Sequence, residues 1–173
     1  MLETVEEMDR LQALLDASME VGGRHLRDVI TPDRRLSAVE LTQRLTGMRL
    51  LVLSTATADG RPLAGPVDGY FLHGTFWFSS ARDSVRMRHI RTRPAVSATH
   101  LPGEELAVTV HGQAELFDLN APEGAELFGA MLDVYEPIHG PAFEESMREA
   151  GDVGARIIPE KMFTFHLDPG AEV

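Results

Sequence analysis

No cysteine occurs anywhere in the 173-residue sequence. That excludes disulfides, thiolate nucleophiles and cysteine-held zinc or iron–sulfur clusters. Cations are scarce too: 16 lysines and arginines stand against 27 acidic residues, for a formal charge of −11. Such a balance repels nucleic acid and anionic lipid as bulk partners, so any anion site must be local. No apolar run approaches the ~20 residues of a membrane span. The acidic stretch from Met1 to Glu7 lacks the apolar segment of a secretory signal. A soluble, cytoplasmic protein without nucleic-acid or membrane partners is expected. Internal repeats, low-complexity tracts, a glycine-rich nucleotide loop and an H-E-x-x-H pair are absent as well. Apolar residues make up 43% of the chain, within the globular range, and the length suffices for one domain.

Periodicity organises the chain. Leu2, Val5, Met8, Leu11, Leu15 and Met19 recur at three- and four-residue steps, which predicts an amphipathic helix over 2–20. Gly22-Gly23 ends it, and the weakly patterned stretch to Asp33 closes in a turn. This extension is too short to bury its own stripe, which must therefore pack on the main body or on a partner. Ser37-Ala38-Val39-Glu40 is a capping box, with Leu36 and Leu41 as its staple, so a second helix starts there. From residue 50 the period becomes that of strands. Asp59-Gly60 turns a first hairpin, and 62–72 returns with Pro66 implying an edge or bulge. His73-Gly74 leads to the aromatic strand 75–80. A helix follows over 83–92, stopped by Pro94. Strands are expected over 95–101 and 106–119, with a bulge at Gly112. Residues 122–149 read as helix broken around Pro137–Pro141, and 156–167 as a last strand interrupted by Pro159. Six mostly antiparallel strands suffice to close a small barrel.

Five of the 16 basic residues fall within one twelve-residue window: Arg82, Arg86, Arg88, Arg91 and Arg93. The window follows Ser79-Ser80 and contains a helix start near Ser84. Unpaired N–H groups and the positive dipole end suit a phosphate there, and serine and arginine add donors. Ser79, Ser80, Ser84 and Arg86 are the phosphate candidates, and the later arginines fit a solvated helix face. Asp83 either competes with the anion as a helix cap or lies to one side. The scattered histidines and Glu136-x-x-His139 do not make a metal site, since Pro137 breaks the helix that would align that pair. No catalytic acid or base is identifiable.

The stretch Phe76-Trp77-Phe78-Ser79-Ser80, followed by Asp83-Ser84-Val85-Arg86 and then Arg93-Pro94-Ala95-Val96, resembles the pyridoxamine 5′-phosphate oxidase-like family. Thr55–Pro66 also looks like that family's first hairpin. The resemblance implies a mainly β (α+β) fold: a six-stranded antiparallel split β-barrel over 37–173 with flanking helices, preceded by a helical extension over 1–36. It further implies a homodimer with FMN between subunits, or coenzyme F420 in its place, and in some members heme. Ser79 and Arg86 match phosphate-contacting positions, and Ser84 matches the helix-start serine. Pro66 and Val67 match strand positions along the isoalloxazine ring, and Phe78 the aromatic before the phosphate hydroxyl. Basic residues of the true oxidase are replaced at about Gly65, Tyr70 and Val85, and an asparagine by Arg93. Its C-terminal tryptophan and Arg-x-His are not evident in 161–173. The implied function is an FMN- or F420-dependent oxidoreductase acting on a small molecule, other than pyridoxamine phosphate oxidase itself. A non-catalytic flavin carrier and a heme-binding or heme-degrading variant are the alternatives.

Overall fold

A computed structural model describes residues 3–167. Leu2 of the N-terminal stripe and the last residues of the chain, 168–173, lie outside the described part. The described residues form six helices and six strands, with two short 3-10 turns besides, in the order the sequence pattern predicts apart from one added helix. Helix α1 (Val5–Glu20) opens on a Thr4–Glu7 capping box, and α3 (Ala38–Arg44) on the predicted Ser37–Glu40 box. Between them lies α2 (Arg24–Val29), which the sequence pattern does not reveal. It spans six residues and buries none of them, so it leaves no periodic stripe to read.

The strands are β1 (Met48–Ala56), β2 (Pro62–Leu72), β3 (Thr75–Ser80), β4 (Ala95–His100), β5 (Leu106–Asp118) and β6 (Val153–His166). They close into an antiparallel barrel in the order β1-β2-β3-β6-β5-β4. β4 completes the ring by pairing with β1 over Val52–Ser54. The last strand is longer than predicted and is not interrupted at Pro159. His111 pairs with Lys161 and Gly112 with Pro159, so Glu160 is left over as a bulge on β6. The bulge absorbs the proline, whose missing N–H would otherwise break the ladder. Gly112 is required opposite it, since a Cβ there would lie 2.1 Å from the Ile158 carbonyl oxygen.

Helix α4 (Val85–Thr92) plugs one end of the barrel with Met87 and Ile90, which join Leu51, Val67, Phe76, Phe78 and Met162 in the interior core. The α1 stripe joins the same core through Leu11 and Leu15, so it packs on the barrel of its own chain. Ser18 of α1 also accepts the Met162 backbone N–H at 2.9 Å. A second core lies on the outer face of β2 and β3. There Tyr70, Leu72 and Trp77 pack under Leu127 and Phe128 of α5 (Ala125–His139) and Met147 of α6 (Ala142–Ala150). α5 and α6 are separated at Gly140–Pro141, inside the window expected from the prolines. Pro137 itself does not end α5, so Glu136 and His139 share its last turn; the helix stops at Gly140, whose φ is +83°. The proline stands in the last turn, where it removes one ladder bond and little else. Among the described residues no helix is long and apolar enough to cross a membrane.

His73 knots the extension to these layers. It occupies the β2–β3 turn with φ +53°, beside Gly74 at +77°. Its Nδ1 lies 3.0 Å from Glu7 of α1 and its Nε2 2.7 Å from Glu126 of α5. Only an imidazolium can donate to both carboxylates. Burial pulls the His73 pKa down, but Glu126 and then Glu7 outweigh it, and the net shift is upward. A raised folded-state pKa contributes stability that is complete below the ordinary histidine value and disappears as pH rises through the folded one. His73→Asn keeps a residue that tolerates positive φ and removes the charge. Its stability deficit in thermal unfolding is expected to be larger near pH ~5.5 than near pH ~8.5. A deficit independent of pH would show that the two contacts are not ionic.

Candidate functional site at the open edge of β2

The barrel closes, but its β2–β3 seam is short. β2 pairs with β3 only from Gly69↔Phe78 to Leu72↔Thr75. Beyond that point Ser79 and Ser80 continue against β6, while β2 residues 62–68 keep only β1 as a neighbour. The two strands therefore diverge and leave a free backbone edge on β2. Pro66 sits on this edge and is exposed. A proline fits there because no ladder bond is asked of its nitrogen.

Arg86 occupies the gap. Its Nη2 donates to the Pro66 carbonyl at 2.7 Å. A Cβ at Gly65 would come within 3.6 Å of the same nitrogen, so the missing side chain leaves room for the guanidinium. This is the position where a basic residue was expected from the family pattern, and Arg86 reaches into its space from α4. Burial pulls the Arg86 pKa below the ordinary arginine value, but the group stays cationic. Only one of its five donors is spent.

Ser84 is the N-cap of α4, and its Oγ accepts the Met87 backbone N–H at 3.4 Å. Asp83 precedes the cap and is exposed, so its carboxylate does not hold the first-turn amides. Ser80 Oγ donates to Ser84 Oγ at 3.1 Å. Ser79 faces the other way, its Oγ directed at Met131 Sδ of α5 at 3.6 Å. Adjacent residues of a strand point to opposite faces, so the two serines cannot both face α4. The structure thus joins Ser80 to Ser84 and Arg86 to the Pro66 carbonyl, two contacts linked through the first turn of α4, and turns the Ser79 side chain toward α5. Val67 and Phe78 point into the barrel core, with Phe78 fully buried, so neither side chain reaches the gap.

The remaining basic residues of the window differ in role. Arg93 donates to the Ala56 carbonyl at 2.9 Å, and His89 Nδ1 lies 3.0 Å from Thr55 Oγ1, so both tie α4 to β1. Arg91 holds the Arg82 carbonyl at 2.8 Å, and Arg88 is exposed.

A second group near this edge escaped the sequence reading. Tyr135 of α5 donates to Asp68 Oδ2 at 2.5 Å, two residues along β2 from Pro66. Burial first, and the Asp68 bond second, push the Tyr135 phenol up to about 12. Tyr70 lies on the same side of β2, and burial raises its phenol as well. Both stay protonated near neutrality, so Tyr135 is a hydroxyl that latches α5 to β2 rather than a proton donor. The pair is 67 positions apart in sequence and leaves no local motif. Tyr70 is buried under α5 and is no substitute for a basic phosphate ligand.

The family model for pyridoxamine 5′-phosphate oxidase matches residues 39–165. No curated protein matches the sequence. Solved structures share the fold at low identity. The heme storage protein HutZ of Vibrio cholerae is 15% identical, with a TM-score of 0.59 over 73% of this chain and 91% of its own. A FAD-binding protein of Mesorhizobium loti is 22% identical, with a TM-score of 0.55 over 76% of this chain and 93% of its own. An F420 reductase is 20% identical, with a TM-score of 0.53 over 68% of this chain and 91% of its own. The split barrel, the plugging helix and the match over most of its length place this chain in the pyridoxamine 5′-phosphate oxidase family.

Proposed function

We infer that the chain binds a flavin-type cofactor, FMN or F420, and uses it as an oxidoreductase on a small molecule. The observation that carries this reading is the half-buried Arg86 at the free edge of β2, bonded to the Pro66 carbonyl and standing in the first turn of α4, whose N-cap Ser84 meets Ser80. These groups fit an anionic tail: one cation with donors to spare, two hydroxyls and the unpaired amides of a helix start. Two exposed carboxylates nearby oppose an anion, Asp83 beside the cap and Asp68 two residues along β2 from Pro66, the latter hydrogen-bonded to Tyr135.

The cofactor supplies hydride transfer when bound. The chain's part is to bind and orient it. Arg86 neutralises the tail, and the exposed backbone of β2 around Pro66 gives the ring an edge to lie along. Val67 and Phe78 support that edge from inside the barrel without touching the ligand through their side chains. Ser79 contributes through its backbone or not at all.

A second copy of the chain completes this site in our reading. Leu50 and Val52 of β1 are 56% and 50% exposed, and they pair with Asp68 and Pro66 on the outer face. Leu101, 61% exposed, follows β4 on the other side of β1. An apolar face that is continuous with Pro66 is what a homodimer with the cofactor between subunits requires.

The test is the absorbance spectrum and mass of whatever co-purifies, followed by titration of the stripped protein with FMN and with F420. Saturable binding of either is expected, with turnover by a reductant separating an enzyme from a carrier. Light scattering should give a dimer. A protein that binds neither cofactor, or one that stays monomeric, removes the reading.

A further inference from the structure

A second cavity lies away from the open edge of β2. It has a volume of about 380 Å³ and is formed where α1 crosses the start of β3 and the middle of β6. Sites for small molecules begin at about this size, ~300 Å³. Its apolar walls include Leu11 and Leu14 from α1, Trp77 from β3 and Ile158 from β6. Ile158 is 47% exposed and stands two residues before the bulge at Glu160.

The charge of the lining is opposite to that of the chain. Four ionisable side chains border the cavity: Glu7, Arg10, His73 and Arg156. Glu7 is the one anion, and both its oxygens are occupied, by His73 Nδ1 and by the Thr4 backbone N–H at 2.8 Å. His73 lies between two carboxylates, which hold its pKa above the ordinary histidine value. Arg156 lies over the Trp77 ring at 5.6 Å and is paired with Glu115. Arg10 is exposed and makes no hydrogen bond or ion pair among the described residues. In a chain of charge −11, an unpaired arginine beside an aromatic and aliphatic cavity is a local reversal of sign.

We propose that this cavity binds a small amphipathic carboxylate, its apolar body between Leu14, Trp77 and Ile158 and its carboxylate on Arg10. The site needs no flavin and shares none of its named residues with the edge of β2. Because α1 forms one wall, an occupant also fastens the N-terminal extension to the barrel.

Trp77 is the only tryptophan in the chain, so all tryptophan emission comes from a residue in this cavity's wall. The experiment titrates the full chain with 4-phenylbutyrate and, separately, with its neutral amide. The acid should change Trp77 emission saturably and bind about tenfold or more tightly than the amide, as one charge-assisted bond predicts. Arg10→Glu should remove that preference while leaving the amide's affinity and the thermal midpoint unchanged, since Arg10 is exposed. FMN titrated into the same variant should bind as in wild type, which separates this site from the cofactor site. No saturable change with the acid, equal affinities for acid and amide, or an acid preference that survives Arg10→Glu would each overturn the proposal.

Discussion

Replacing Phe78 by alanine is expected to lower stability by about 3–5 kcal/mol, the usual cost of truncating a buried phenylalanine. Phe78 is fully buried in the barrel core, beside Phe76 and Met87. The loss has two parts, the transfer energy of the ring and the cavity it leaves between β2, β3 and α4. A urea transition should move to lower concentration with its slope unchanged, since the folded state stays closed. Phe78→Leu fills most of the space and should cost only about 1–2 kcal/mol, which keeps a folded protein available. The cofactor consequence is the sharper one. If Phe78 acts only from inside the barrel, the leucine variant binds FMN within about twofold of wild type, well under the cost of one lost contact. A variant of normal stability with weak FMN binding would place the ring at the cofactor after all.

The residues that were legible share one property: their meaning is local. The capping box at Ser37 satisfies backbone groups three residues away. Gly60 takes the positive φ that the first hairpin demands, at +82°. Pro66 in a strand announces an edge, and the edge is there. The order of elements followed from such signals, and the family pattern joined them into a barrel.

What was not legible depends on partners distant in sequence or on facing. Pro159 looks like a strand break until Gly112, on another strand, is seen to admit the bulge. Pro137 looks like a helix break, but it falls in a last turn whose end is set by Gly140. Ser79 and Ser80 are indistinguishable as letters. Only the register of β3 against β6 decides that Ser80 meets Ser84 while Ser79 turns to Met131. The empty place at Gly65 reads as a lost ligand in sequence, whereas in space it is the room that Arg86 uses.

That last point gives Arg86 a heavier share of any phosphate than it has alongside basic neighbours. Arg86→Ala should therefore weaken binding of FMN or F420 by about 1.5–3 kcal/mol, roughly ten- to hundredfold in Kd. Folding should change little, because the bond lost, to the Pro66 carbonyl, lies at an exposed edge that water can satisfy. Arg86→Lys separates charge from geometry. A lysine keeps the positive charge but gathers its donors on one nitrogen, so it cannot grip an anion in the planar two-nitrogen fashion of a guanidinium while holding the Pro66 carbonyl. Its affinity should fall between wild type and alanine, and its binding should be the more sensitive to salt, as a point charge on a flexible stem is screened more readily. Titrations at two ionic strengths measure both effects. Equal affinities for wild type and Arg86→Ala would mean that the anion is held elsewhere, and that the guanidinium serves only to brace the open edge of β2 against α4.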